Sequence, residues 1–299
     1  MPSGRRNSGY GLNIAMMNSI AYLGPPGSYS EIAALAYGGA AATYVPLSSM
    51  PAVVTAVETG ATTAGVLPIE NVLEGSVTTT LDLLIHETNL RITGETVIPI
   101  RHYLVARAGI ALHEVKVLYG HPQSLGQCRR FIERCLPGVA TVASLSNSAA
   151  PAEALADERP AAAIGTLRAA ERVGATILAS DIQDRTGNVT RFIALGRHDH
   201  APTGDDKTSF CFGFDREDRP GALVEALYEL ASVSINMTKL ESRPAREVLG
   251  QYIFLVDING HREEPAVAAA LERIRAKTGL FKVFGSYPRW KEGVGNGCD

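Results

Sequence analysis

The chain has 299 residues, 45% of them hydrophobic, which is enough to bury the cores of two or three globular units. Its formal net charge is −3 with no run of Lys or Arg beyond pairs, so the electrostatic footprint of nucleic-acid or membrane-surface binding is missing. The expected partners are small molecules or further copies of the chain. Cys128, Cys135, Cys211 and Cys298 form no C-x-x-C pair and sit near no histidine at zinc-ligand spacing, which argues against a metal site and for reduced thiols in a cytoplasmic protein.

Residues 1–17 read as a flexible tail. Arg5-Arg6 has the look of an export signal, but Asn13, Asn18 and Ser19 break the apolar run that such a signal needs. No segment approaches the roughly 18 uninterrupted apolar residues of a membrane span. From residue 19 onward short apolar strands alternate with polar turns and amphipathic helices, which predicts an α/β protein with largely parallel sheets. The strands are expected at 19–23, 43–45, 64–69, 91–100, 103–106, 115–119, 140–142, 161–164 and 192–195. The stretch 92–106 reads as two extended runs joined near Arg101-His102, suited to a crossing between two lobes. Cys128 falls on an apolar helix face with Leu125, Ile132, Cys135 and Leu136, a packing position.

Residues 198–206 lack periodicity and concentrate turn formers, the signature of a linker. Beyond it, over 207–287, the predicted order is strand, helix, strand, strand, helix, strand, the βαββαβ ferredoxin-like plan. Residues 288–299 read as a loose tail.

Several strand-to-helix turns share one design, small hydroxyl or glycine residues where a helix begins. They are Gly24-Pro-Pro-Gly-Ser-Tyr-Ser30, Glu74-Gly-Ser-Val-Thr78, His121-Pro-Gln-Ser124, Asn147-Ser148 and Gly165-Thr166. Such helix starts bind carboxylate or phosphate without a lysine, and they are also the ordinary places for capping residues. No G-x-G-x-x-G or Gly-Lys-[Ser/Thr] sequence completes a nucleotide site. Asn188-Val-Thr-Arg-Phe192 stands at the end of an apolar run, 192–195, and puts a hydroxyl donor, a fixed positive charge and an aromatic ring side by side. A small dianion that must lose a hydroxyl group needs such a set.

These segments resemble, in order, the motifs of prephenate dehydratases. Gly24 to Ser30 is similar to their opening Gly-Pro-x-Gly-[Thr/Ser]-[Phe/Tyr]-Ser, and Pro68-Ile-Glu-Asn71 with Glu74-Gly-Ser-Val77 to their Pro-Ile-Glu-Asn-Ser-x-Glu-Gly-Ser-Val. His121-Pro-Gln123 with Gln127-Cys128 resembles their His-Pro-Gln motif, and Asn188 to Phe192 their Asn-x-Thr-Arg-Phe. Gly221-Ala-Leu-Val224 and Glu241-Ser-Arg-Pro244 resemble the paired motifs of their phenylalanine-sensing ACT domain. Three departures stand out: Val72 replaces a serine, Ser124 and Gly126 replace alanines, and Pro151 interrupts the helix start after Ser148.

The resemblance implies a bilobed, periplasmic-binding-protein-like catalytic domain at 18–197, with lobes of about 18–98 plus 179–197 and 99–178, followed by a C-terminal ACT domain. It implies loss of carbon dioxide and water from prephenate to give phenylpyruvate, with no cofactor and no metal, under phenylalanine control. Arogenate or a specialised analogue as substrate remains open, as does a non-catalytic small-molecule sensor. Thr190 is the expected hydroxyl donor. Arg191 is expected to pair with a substrate carboxylate or brace the site through Glu70, and Phe192 completes the motif chiefly by packing. Ser28, Glu70, Asn71, Ser76, His121, Gln123, Ser148, Thr166 and Asn188 are the expected substrate-binding residues, with His121 equally suited to fixing its turn. Gly221, Ala222, Leu223, Asn236, Glu241, Ser242, Arg243 and Pro244 are the expected phenylalanine site. A homodimer or homotetramer is expected.

Overall fold

The computed structural model describes residues 18–214, 219–245 and 251–291. The tail readings at 1–17 and 292–299, with Cys298, lie outside these residues.

The first lobe opens with β1 (Ser19–Leu23), α1 (Tyr29–Gly38), β2 (Thr43–Leu47), α2 (Met50–Thr59) and β3 (Ala64–Asn71). Ser28 starts α1 by accepting from the Glu31 backbone N–H at 3.3 Å, and Ser49 starts α2 by accepting from Ala52 at 3.2 Å, the expected use of a hydroxyl at a helix N-terminus. Gly39 and Gly60, with φ of 67° and 78°, end the two helices where a side chain disfavours the backbone. Next come β4 (Gly75–Ser76), α3 (Thr78–Asp82) running into a π-helical turn, and β5 (Arg91–Pro99).

The second lobe carries β6 (Tyr103–Ala106), β7 (Val117–Gly120), α4 (Pro122–Gln127), α5 (Arg129–Cys135), β8 (Ala140–Ala143), α6 (Ala150–Ala156), β9 (Ala161–Gly165), α7 (Leu167–Val173) and β10 (Thr176–Ala179). The chain then returns as β11 (Val189–Gly196). Pro151 sits in the first turn of α6, where its missing N–H has no helical partner to lose, so it starts that helix rather than interrupting it.

The first-lobe sheet has the order β2-β1-β3-β11-β5 with β4 on β3, and the second β10-β6-β9-β7-β8. The expectation of largely parallel sheets needs correction. Parallel pairing is confined to β1 with β2 and β3, and to β7 with β8 and β9. The strands that connect the lobes pair antiparallel, because β11 comes back against the direction of β3 and β5. This return puts β11 in the interior of the first sheet.

The C-terminal unit consists of β12 (Asp206–Gly213), α8 (Ala222–Ala231), β13 (Met237–Pro244), β14 (Tyr252–Asn259), α9 (Pro265–Arg275) and β15 (Leu280–Pro288). Its antiparallel sheet has the order β13-β14-β12-β15, with the two helices on one face. Period-two alternation divides its apolar residues. Phe210, Phe212, Val256 and Ile258 face the helices, whereas Cys211, Ile253, Leu255, Phe284 and Tyr287 join a core shared with Ile69, Leu84, Ile92, Ile193 and Leu195 of the first lobe. At Gly285 an added Cβ would meet the Ile92 backbone nitrogen at 2.7 Å, so β15 passes β5 at a distance that only glycine allows. Residues 289–291, expected as part of a loose tail, are held in place. The Arg289 guanidinium pairs with Asp205 at 2.9 Å, and Trp290 N–H donates to Glu95 at 3.0 Å.

Candidate active site

Thr190 and Asn71 are register partners on β11 and β3. The Asn71 side-chain amide donates to Thr190 Oγ1 at 2.8 Å and to Asn188 Oδ1 at 2.9 Å, while its own oxygen accepts from the Leu73 and Glu74 N–H groups at 3.0 Å each. Asn71 thus fixes both the hydroxyl and the loop that follows β3. Thr190 Oγ1 accepts this bond and donates to no group among the described residues, so its hydrogen is available to a substrate.

Asn188 lines an inter-lobe cavity of about 220 Å³ together with Leu73 and Glu74 of the first lobe and Gln127 of the second. Arg185 is the one cation among the residues lining it. Gln127 bridges the lobes, donating from Nε2 to Glu74 at 3.2 Å and accepting at Oε1 from His102 Nε2 at 2.9 Å. That bond places the proton of neutral His102 on Nε2. Burial lowers the His102 pKa from the ordinary 6.5, against the opposing pull of the Gln127 hydrogen bond. A larger surface hollow of about 860 Å³, near Tyr37, Thr93 and Trp290, contains none of the residues expected at the site.

The sequence matches the prephenate dehydratase family over residues 20–200 and the ACT domain family over 212–276. The chain belongs to the prephenate dehydratase family. It is 41% identical over 278 residues to the bifunctional chorismate mutase/prephenate dehydratase of Aquifex aeolicus, covering 93% of this chain and 75% of that one. It is 36% identical to the prephenate dehydratase of Mycolicibacterium gilvum, covering 93% of each chain. Among solved structures, the prephenate dehydratase of Arthrobacter aurescens in complex with L-Phe superposes with a TM-score of 0.82 at 37% identity, covering 91% of this chain and 90% of that one.

The family's Thr-Arg-Phe motif is divided by strand alternation, and Arg191 requires correction. It lies on the face of β11 opposite Thr190, where its side chain donates to Glu95 at 2.6 Å, Asp257 at 2.6 Å and Tyr287 at 2.8 Å. Burial opposes the guanidinium charge, but Tyr287, Asp257 and Glu95 outweigh it and hold the Arg191 pKa well above the usual range. Glu70 lies 3.7 Å from Arg191, so of the two expected roles the brace toward Glu70 is the one that the geometry favours. Phe192 is buried among Ile20, Tyr22, Val66 and Ile98 and serves packing alone.

Glu70 and Ser76 turn toward the ACT domain rather than the cavity. Lys239 binds Glu70 at 3.1 Å and Ser76 at 3.2 Å, and Ser76 donates to Glu241 at 2.5 Å. A β-bulge is responsible: Arg191 pairs with Glu70 but Phe192 with Pro68, so Ile69 is an extra residue and the alternation of β3 is reset.

Thr166 and Ser28 are engaged in structure. Thr166 caps α7 and donates to the Gly27 carbonyl at 2.5 Å, fastening the two lobes together at a buried point. Ser28 caps α1 and donates to Leu23 O. His121 caps α4 through Nδ1, which accepts from Gln123 N–H at 3.3 Å, in keeping with its turn-fixing role. Gln123 is exposed, and Ser148 pairs with Ser146 at 3.1 Å beside the Ser124–Asn147 hydrogen bond. Val72 is exposed and keeps only a backbone role, donating to Val189 O at 3.1 Å.

In the ACT domain Gly221 takes φ 90° and begins α8, Ala222 and Leu223 pack inward, and Asn236, Ser242 and Pro244 are exposed. Glu241 and Arg243 are corrected in the same way as Arg191. Their side chains reach back to the catalytic unit, Arg243 donating to Asp82 at 3.0 Å and to Thr78 O at 3.3 Å. Sequence reasoning missed Glu95, Gln127, Arg185, Lys207, Asp257 and Tyr287. Of these only Gln127, which stands within the His-Pro-Gln motif match, and Arg185, a neighbour of the Asn-x-Thr-Arg-Phe motif, carried a signal.

Proposed function

We propose that this protein is a prephenate dehydratase whose chemistry rests on Thr190. In prephenate the ring carboxylate leaves as carbon dioxide, the electron pair of the broken C–C bond enters the ring, and the C–O bond opposite breaks with its pair on the departing hydroxide. Aromatisation drives the step, and the hydroxide takes a proton to become water. The observation that carries the reading is the Asn71–Thr190 bond: Asn71 occupies the acceptor side of the hydroxyl and leaves its hydrogen for the departing oxygen. A threonine hydroxyl is too weak an acid to give up its proton outright, so its contribution is a hydrogen bond that strengthens as negative charge develops.

Arg191 is committed elsewhere, so Arg185 takes the anchoring role for a substrate carboxylate, assisted by the amides of Gln127 and Asn188. L-Phe acts as the effector through the ACT domain, in line with the L-Phe complex of the Arthrobacter relative. The edge strand β13, which exposes Leu240 and Met237, is the surface through which two copies associate.

The test is incubation of the purified protein with prephenate, and separately with arogenate, with and without phenylalanine. Phenylpyruvate formation from prephenate that responds to phenylalanine is the expected result. Turnover of arogenate alone would move the substrate assignment, and binding of prephenate without product would point to a sensor.

A further inference from the structure

Behind the Thr190–Asn71 pair lies a buried polar seam between the first lobe and the ACT sheet. Arg191 and Glu70 are the next register partners along β11 and β3, and they present their side chains to the opposite face. There Arg191 is held by Asp257 of β14 at 2.6 Å and Tyr287 of β15 at 2.8 Å. Ser209 of β12 ties these two together, at 2.6 Å from Asp257 and 2.5 Å from Tyr287. Lys207, also of β12, reaches Glu95 at 2.8 Å, and Lys239 of β13 reaches Glu70 at 3.1 Å. Strands β13, β14 and β15 of the ACT sheet therefore each contribute a polar group to one of the two strands that carry Thr190 and Asn71, and β12 reaches them through Ser209 and through Glu95 of β5, which also binds Arg191. The Tyr287 side chain is fully buried and that of Arg191 is 13% exposed, so water does not readily replace a partner that is lost.

We propose that this seam positions the Thr190–Asn71 pair, making Tyr287, Asp257 and Lys239 positioning residues for the reaction and the route by which the state of the ACT domain reaches the active site. A strand has no slack between consecutive residues, so a shift of the Arg191 anchor moves the Thr190 backbone with it. A misplacement of about 1 Å at a reacting group costs roughly a hundredfold in rate, so small movements of the ACT sheet suffice. Coupling needs a two-state element that both sites bias, and here that element is the contact between the two sheets.

The inference rests on the proposed dehydratase activity, and the experiment separates the two. Tyr287→Phe keeps the ring and removes the oxygen that Arg191 and Ser209 share, Lys239→Met keeps the length and removes the charge, and Ile253→Val is a control that trims the same interface without touching the seam. Tyr287→Phe is expected to lower kcat about tenfold with KM within about twofold, and to weaken the response to phenylalanine. Lys239→Met, which leaves Glu70 and Glu241 without the cation they share, is expected to act in the same direction. Hydrogen exchange of segments 70–72 and 188–191 is expected to accelerate in both variants, while Ile253→Val leaves kcat and these segments unchanged. Seam variants indistinguishable from Ile253→Val in both kcat and exchange would overturn the proposal. Accelerated exchange in a protein that fails to convert prephenate would support the seam and sink the dehydratase reading instead.

Discussion

Thr190 accepts a hydrogen bond from Asn71 and donates none within the described residues, so replacing it removes the proposed donor and little of the packing. Thr190→Ala is expected to lower kcat by about 10² to 10⁴-fold with the melting temperature nearly unchanged, and Thr190→Ser to recover much of the loss. An alanine variant with wild-type turnover would end the assignment. Arg185 predicts a different kinetic signature. Its guanidinium lines the cavity and makes no ion pair among the described residues, so Arg185→Gln is expected to raise KM about tenfold with a smaller effect on kcat. Titration of initial rates against prephenate distinguishes the two residues, because one acts on the departing hydroxyl and the other on the bound carboxylate.

At the scale of the element, the strand is what divides these roles. The motif Thr190-Arg191-Phe192 reads as one cluster along the sequence, yet successive residues of β11 point to opposite faces, and of the three only Thr190 is joined through Asn71 to Asn188, which lines the cavity. The fold class was legible because period-two and helical patterns, together with the glycine and serine punctuation, are local properties. The facing of Glu70 was not, because it depends on the bulge at Ile69, and neither were Asp257, Tyr287 and Glu95, which meet Arg191 only through tertiary packing. Glycine at 285 carries a similar hidden constraint. Gly285→Ala would drive a methyl against the Ile92 backbone and is expected to cost about 1–3 kcal/mol, as overpacking does in a close interface. Urea unfolding of the variant checks this, and unchanged stability would mean that β15 and β5 have room to separate.

The whole molecule is tied together by two buried polar centres, one at the crossing between the lobes and one at the ACT interface, and pH tests them separately. His102, next to Arg101 at the crossing, is buried with its pKa below 6.5, so the unfolded chain binds a proton more readily than the folded one. Its contribution to stability is present in full above about pH 6.5 and is lost as pH falls through the depressed folded value. Asp257 sits lower. Burial disfavours its charge, but Arg191, Ser209 and Lys207 together outweigh burial and hold its pKa below 3.8. Its contribution is therefore present above that value and is lost only as pH falls through the depressed value. Thermal unfolding followed from pH 8 downward is expected to show a first decline below about pH 6.5 and a second in the acid range. His102→Gln should flatten the first and leave the second, whereas Asp257→Asn should leave the first and diminish the second, to which Asp157, Asp205, Glu225 and Glu229 also contribute. A first decline that survives His102→Gln would place that titration elsewhere. If Asp257→Asn also alters the response to phenylalanine at neutral pH, where the carboxylate is fully charged, the same buried charge that stabilises the interface also transmits the effector's signal.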